Sequence, residues 1–251
     1  MTTTTPGLIH TLEAYTLRSW PALESHDYDG WTLRFASGYT RRSNSVSTLA
    51  AGTLPLAEKL AYVESEYQQR GLPARFKLTP HNYPPELDAV LEANGYIVES
   101  RSVMMQADLA APLELPDGVT ITEMVDDAWM ELFCRFNPSH APYRAMMPAF
   151  LANIPLTRYF TTIVEDGQPV ALGLGVWEGE YVGLYDIVTA EAMRGRGLGK
   201  RLVGAILARA QQDGAKTAYL QVAAENTPAV RLYTGFGFTE AYPYWYRAKY
   251  L

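Results

Sequence analysis

The stretch Arg194-Gly195-Arg196-Gly197-Leu198-Gly199-Lys200 lies between a segment that reads as a strand, YVGLYDIVT at 181–189, and one that reads as a helix, from about 198 to 212. Glycine at every second position lets the backbone pass close to a ligand and lets successive amides point into one concavity. The following helix adds the positive end of its dipole, so an anion belongs there. Arg194, Arg196, Lys200 and Arg201 deepen the positive field. A pyrophosphate is the natural guest. Taken alone, the loop also reads as a glycine-rich turn with solvated charges. Its spacing is neither G-x-G-x-x-G nor G-x-x-x-x-G-K-[ST], and it comes late, after mainly antiparallel strands, which argues against a dinucleotide fold or a P-loop.

Outward from this loop, strand and helix patterns alternate. Towards the C-terminus, 217–223 reads as a strand, 228–234 as a helix and 238–248 as a last strand. Upstream, strands are predicted at 119–124, 159–165 and 169–177, with helices at 126–136 and 143–152. The proline-rich APLELPDG at 111–118 reads as a linker. Before it, helices are predicted at 8–20, 56–67 and 86–93, and strands at 30–36, 39–48, 74–79 and 96–106.

The fold class is therefore α/β (α+β), with mixed, mainly antiparallel sheet flanked by helices. Two regions are expected, residues 1–110 and 119–251. They read as a diverged repeat. QQRGLPARFKL precedes LDAVLEANGYIVES in the first, and QQDGAKTAYLQV precedes AVRLYTGFGFTEA in the second. Gly71 and Gly214 lie 143 positions apart, and Gly95 and Gly237 lie 142 apart, so one register nearly holds across both anchors.

Composition narrows the function. The chain has 251 residues, 48% of them hydrophobic and 19% charged, enough for a real core and too few charges for a disordered chain. A net charge of −6 gives no electrostatic footprint for nucleic acid or an anionic membrane. Cys134, the sole cysteine, reads as a buried thiol beside Leu132, Phe133 and Phe136, which fits a reducing cytoplasm. The start MTTTTPG lacks a signal-peptide pattern and no apolar run approaches a membrane span, so a cytoplasmic protein is expected. His10, His26, His81 and His140 have no ligand-like spacing, and no metal is expected.

A second motif stands downstream. Residues 226–238, NTPAVRLYTGFGF, fit N-x-x-A-x-x-L-Y-x-x-x-G-F, and residues 194–199 fit R-x-x-G-x-G. In this order and spacing the pair resembles the signature segments of GNAT N-acetyltransferases, and the flanking strands extend the likeness over about 119–250. The resemblance implies two GNAT-like halves, a degenerate one at 1–110 and the working one at 119–251. It implies an acetyl-CoA co-substrate, with Arg194 and the amides of Gly195, Arg196, Gly197, Leu198, Gly199 and Lys200 at its pyrophosphate. The strand edge at Ile187, Val188 and Thr189 would pair with the pantetheine arm, and Asn226 would bond to the cofactor. An amide aimed at the thioester carbonyl would stabilise the charge that develops there.

The same resemblance gives Tyr233 the role of general acid towards the departing thiolate. The plainer reading of Tyr233 is a helix tyrosine packed beside Phe236. Some family members carry a Glu five residues before the motif Asn, and here that position is Gln221, which cannot take a proton. Asp186, on the strand before the loop, is the replacement base, with a structural hydrogen-bonding role as its alternative. Glu178 and Glu180 flank Gly179 and read as solvated turn charges.

The expected reaction is acetyl transfer to a primary amine of a small molecule in a ternary complex. A non-catalytic acyl-CoA-binding module and a protein or peptide N-acetyltransferase remain as alternatives, and a homodimer is compatible with all three. In the first half LAAGTLPLAEK, with only Gly52, stands where a glycine loop would be, so no CoA is expected there. Arg41, Arg42, Ser43 and Asn44 read as solvated strand-edge residues. Tyr242, Tyr244, Trp245 and Tyr246 read as core and cofactor-side packing, with the lining of an acceptor pocket by one face as the alternative.

Overall fold

Side-chain caps start several of the helices. Thr5 accepts from the Leu8 amide at 3.3 Å and Pro6 opens α1 (Pro6–Ser19). Asp126 accepts from the Trp129 amide at 2.8 Å ahead of α4 (Asp127–Phe136), and Asn226 from the Ala229 amide at 3.3 Å ahead of α7 (Thr227–Thr234). The computed structural model describes residues 5–251; residues 1–4, part of the stretch read above for a targeting signal, lie outside them.

After α1 come β1 (Glu24–Tyr28), β2 (Trp31–Phe35), β3 (Val46–Ser47), α2 (Leu56–Gln69), β4 (Ala74–Leu78), α3 (Leu87–Ala93) and β5 (Ile97–Asp108). Beyond 111–118 follow β6 (Val119–Thr122), α4, α5 (Met147–Ala152), β7 (Thr157–Glu165), β8 (Gln168–Glu178) and β9 (Tyr181–Thr189). Then come α6 (Leu198–Gln212), β10 (Thr217–Ala223), α7 and β11 (Thr239–Lys249). The class is mixed α/β with a mostly antiparallel sheet flanked by helices, as expected.

Three local expectations change. Residues 39–48 form turns, and only Val46 and Ser47 join the sheet. The cause is Asn44: its Oδ1 accepts from the amides of Ala36 (2.8 Å) and Gly38 (2.9 Å), and its Nδ2 donates to the Thr40 carbonyl (2.7 Å). Such local bonds compete with a ladder. The helix expected at 143–152 is shorter: residues 144–146 are turn and only the short α5 is helical, because Pro148 lacks an amide donor and is tolerated only in a helix's first turn. β1, with the sequence ESHDY, is polar on both faces and carried no period-2 signal.

All strands join one eleven-stranded sheet in the order β1-β2-β3-β4-β11-β5-β10-β9-β8-β7-β6. The pairs β3–β4 and β9–β10 are parallel, and the others are antiparallel. At the centre β11 lies between β4 and β5, and β5 lies between β11 and β10. Each region's last strand is thus clasped by a strand of the other.

On one face α6 buries Leu202, Val203 and Ile206 against β7–β9. Full burial of such side chains stabilises by roughly 1.5–3 kcal/mol apiece. Gly175 is what allows the approach, since a Cβ there would stand 2.4 Å from Ile206 Cγ2. On the opposite face α1, α4 and α5 enclose Trp20, Phe133, Phe150 and Tyr219. Cys134 is buried there, its Sγ 3.6 Å from Met147 Sδ. Trp31, Tyr67 and Phe76 anchor a third core under α2 and α3. No helix among the described residues is long and apolar enough to cross a membrane.

Candidate active site

The glycine loop enters α6 through two left-handed residues, Gly195 at φ +76° and Gly197 at φ +77°, a conformation that side chains resist. The amides from Gly195 to Lys200 donate to no acceptor among the described residues; intrahelical bonding resumes at the Arg201 amide, which reaches the Gly197 carbonyl at 3.0 Å. Consecutive free donors at a helix N-terminus form a concave site for negative charge. Arg194 and Lys200 are exposed and unpaired among the described residues, whereas Arg196 and Arg201 lean on Glu165 at 3.8 and 3.4 Å.

The sheet opens beside this loop. β9 pairs with β10 only from Thr217–Tyr181 to Leu220–Leu184, while its pairing with β8 continues to Thr189. From Tyr185 onward, one edge of β9 therefore faces no strand. A cavity of about 580 Å³ fills the wedge, walled by Ile187, Val188 and Thr189 on one side and by Asn226 and Tyr233 on the other. Arg194, Gly195, Gly197, Leu198 and Gly199 close its end. Arg196 lies outside this lining, and Lys200 lines a neighbouring hollow beside Phe236. Asn226 is engaged in capping α7.

Tyr233 is 8% exposed, and its hydroxyl has no hydrogen-bond partner among the described residues. Burial pushes its pKa up to about 12, opposed by the charge of Arg42, so the phenol keeps its proton at neutral pH. Its ring contact is Phe238, with centroids 5.9 Å apart, rather than Phe236, which packs near Gly204 of α6.

Asp186 sits in a bulge. Val188 pairs with Leu172 and Tyr185 with Leu174, which leaves Asp186 and Ile187 opposite Gly173. Asp186 adopts φ +51°, and its Oδ2 is buried with no partner. Burial pushes this carboxyl up to about 7, with Arg42 acting in the opposite sense. A carboxyl in that range, at a strained position, is a group able to take up a proton near neutrality.

A second cavity, of about 430 Å³, lies between β10, β11 and the turn at 38–42. Gln221 faces it, and both its amide nitrogen and its amide oxygen are buried without partners. The buried Tyr246 hydroxyl on the same wall is also unpartnered, and Tyr244 lies beside it. Trp245 points elsewhere, donating to Asp88 at 2.8 Å.

Arg42 reaches into this cavity with its guanidinium 5.0 Å from the Trp20 ring and 5.6 Å from the Tyr185 ring. Only Arg41 of the stretch 41–44 is solvent-exposed, as expected; Ser43 and Asn44 are fully buried and Arg42 half-buried. A period-2 reading could not find this, since the turn that turns Arg42 inward is made by Asn44's local bonds. Among the described residues no group of three or more His, Cys, Asp or Glu is arranged to hold a metal ion.

The arrangement has relatives. A family model described as "Probable histone acetyltransferase Rv0428c C-terminal" matches residues 7–247. YobR of Bacillus subtilis, an uncharacterized N-acetyltransferase, is 30% identical over 251 residues, covering 96% of this chain and 98% of that one. The fold is shared with a GCN5-related N-acetyltransferase from Kribbella flavida, with a TM-score of 0.69 at 16% identity over 95% and 94% of the two chains. The chain belongs to the GNAT family of N-acetyltransferases. As a GNAT protein it is an acetyltransferase, and its likeness extends to a mycothiol acetyltransferase of a Nocardioides species, 29% identical over 190 residues and 64% of each chain.

Proposed function

We propose that this GNAT enzyme moves an acetyl group from acetyl-CoA to a primary amine of a small molecule by direct attack in a ternary complex. The observation that carries the reading is the run of unpartnered amides from Gly195 to Lys200 at the mouth of the 580 Å³ wedge. Backbone donors on a helix N-terminus suit a pyrophosphate. In this reading Arg194 adds charge at the phosphates, and Asn226 adds a polar group to the wall. The open edge of β9 at Ile187, Val188 and Thr189 offers donors and acceptors to the amides of the pantetheine arm. An amide there that meets the thioester carbonyl stabilises the developing negative charge.

Asp186 accepts a proton from the attacking amine, directly or through water, and Tyr233 donates one to the departing thiolate. The residues before and after the 111–118 linker act as a tandem pair in which the 119–251 region holds the cofactor. The mycothiol acetyltransferase likeness, by its name, favours a small-molecule acceptor. The test is to incubate the protein with acetyl-CoA and a panel of amines, following thiol release, and to measure acetyl-CoA affinity by calorimetry. Acetyl-CoA binding with amine-dependent thiol release is expected. Binding with no release from any amine would leave a non-catalytic module.

A further inference from the structure

Basic side chains crowd the 430 Å³ cavity, and all but one are matched. Arg41 and Arg75 share Glu99 at 2.9 and 2.6 Å. In a small adjoining hollow that shares Arg42 and Gln221, Lys77 is bonded to Glu13, and Arg34 to the carbonyls of Arg42 and Trp20. Arg42 alone among these guanidinium and ammonium groups has no ion pair or hydrogen bond among the described residues, although the rings of Trp20 and Tyr185 hold it in place. A half-buried guanidinium held by two rings, which feels the Asp186 carboxyl but makes no ion pair with it, is a docking point for a planar anion, which it can meet with two parallel hydrogen bonds.

Two further unsatisfied groups face the same space. The amide of Gln221 and the hydroxyl of Tyr246 are buried without partners, and burying such groups is costly unless something bonds them. The cavity volume suits a metabolite-sized molecule. A basic peptide or a polyamine would instead bring a second positive charge against Arg42.

Resting on the acetyl-transfer reading above, we infer that the acceptor is an amine that also bears a carboxylate, held by Arg42 with Gln221 and Tyr246 as its polar neighbours. The first region of the chain then supplies the acceptor's charge recognition, and the second supplies the acetyl-donor site.

The test compares matched pairs, 4-aminobutanoate against butylamine and phenylalanine against 2-phenylethylamine, in wild type, Arg42→Gln and Arg42→Lys. The readout is the ratio of kcat/KM within each pair, with acetyl-CoA affinity reporting that each variant is folded. Wild type is expected to favour the carboxylate by about 10- to 100-fold, the worth of a charge-assisted bidentate contact. Arg42→Gln should bring the ratio close to one, and Arg42→Lys should keep part of it. Equal turnover of both members of each pair by wild type would overturn the inference and leave acetyl transfer standing. If acetyl-CoA binds but no amine releases thiol, acetyl transfer fails; calorimetric titration of 4-aminobutanoate into CoA-saturated protein then decides. Binding that is lost in Arg42→Gln supports the anion site, and no binding overturns it.

Discussion

The loop entering α2 and the loop entering α6 both present backbone amides at a helix N-terminus, yet only one leaves them free. At residues 53–54 the amides of Thr53 and Leu54 donate to the carboxylate of Asp29, at 2.8 to 3.0 Å, and the Thr53 hydroxyl joins them at 3.1 Å. Lys59 completes the arrangement at 3.2 Å. Gly52 passes so close that a Cβ would stand 2.1 Å from Asp29 Oδ2. Those amides hold the Asp29 carboxyl far below the usual carboxylate range. At 195–200 no acid among the described residues plays this part.

Both aspartates are left-handed, Asp29 at φ +44° and Asp186 at φ +51°, but one is fully satisfied and the other has a buried orphan oxygen. The contrast teaches that backbone donors stand in both places, and that what differs is whether the chain meets them with its own carboxylate.

Gly197→Asp should break the contrast most sharply, because it puts an internal acid at the second set of donors as well. Acetyl-CoA affinity measured by calorimetry is expected to fall by roughly 1,000-fold, the loss of two or more charge-assisted bonds. Unchanged affinity in a folded variant would remove the loop from the cofactor site. Asp186→Asn tests the unsatisfied aspartate and should lower kcat/KM by about 100- to 1,000-fold, within the span of general-base effects. The base form is the ionised one, so wild-type kcat/KM should rise as pH passes about 7, and the Asn variant should lack that rise. A parallel profile in both would make Asp186 a structural residue.

Smaller effects sharpen the picture. Tyr233→Phe should lower turnover by roughly 10- to 100-fold and leave acetyl-CoA affinity within a few-fold, since CoA thiolate is an adequate leaving group. Wild-type turnover in this variant would make the ring pure packing. Asp29→Asn should leave acetyl-CoA affinity unaltered and lower the thermal midpoint by a few degrees at pH 7. Because the folded carboxyl is depressed, its stabilisation is present above the unfolded value of about 3.9 and fades as pH falls below it, so the two midpoints should converge in acid. Equal midpoints at pH 7 would mean that the Asp29 contacts contribute nothing net.

Where local chemistry governs, the sequence was a good guide. α6 and β10 begin and end where glycine, periodicity and turn residues put them, and the RGRGLG loop was legible because glycine at every second position is a local pattern. Long-range features were not. Nothing in the period of YIVESRSVMMQ says that β5 lies between β10 and β11, since register between distant strands leaves no local trace. Arg42 was hidden for a related reason: Trp20 and Tyr185, the rings that hold it, are far away in sequence.

The clasp of β5 and β11 also bears on how the molecule is made. Thr239 pairs with Gln106, and Tyr244 with Ser102, so the central seam of the sheet joins the middle of the chain to its far end. During synthesis β4 and β5 must wait, edges bare, while everything from β6 to α7 is added. Contacts of such sequence separation form slowly, and an unpaired edge is open to the wrong neighbour. Of the eleven strands, the last in chain order is the one that closes the sheet.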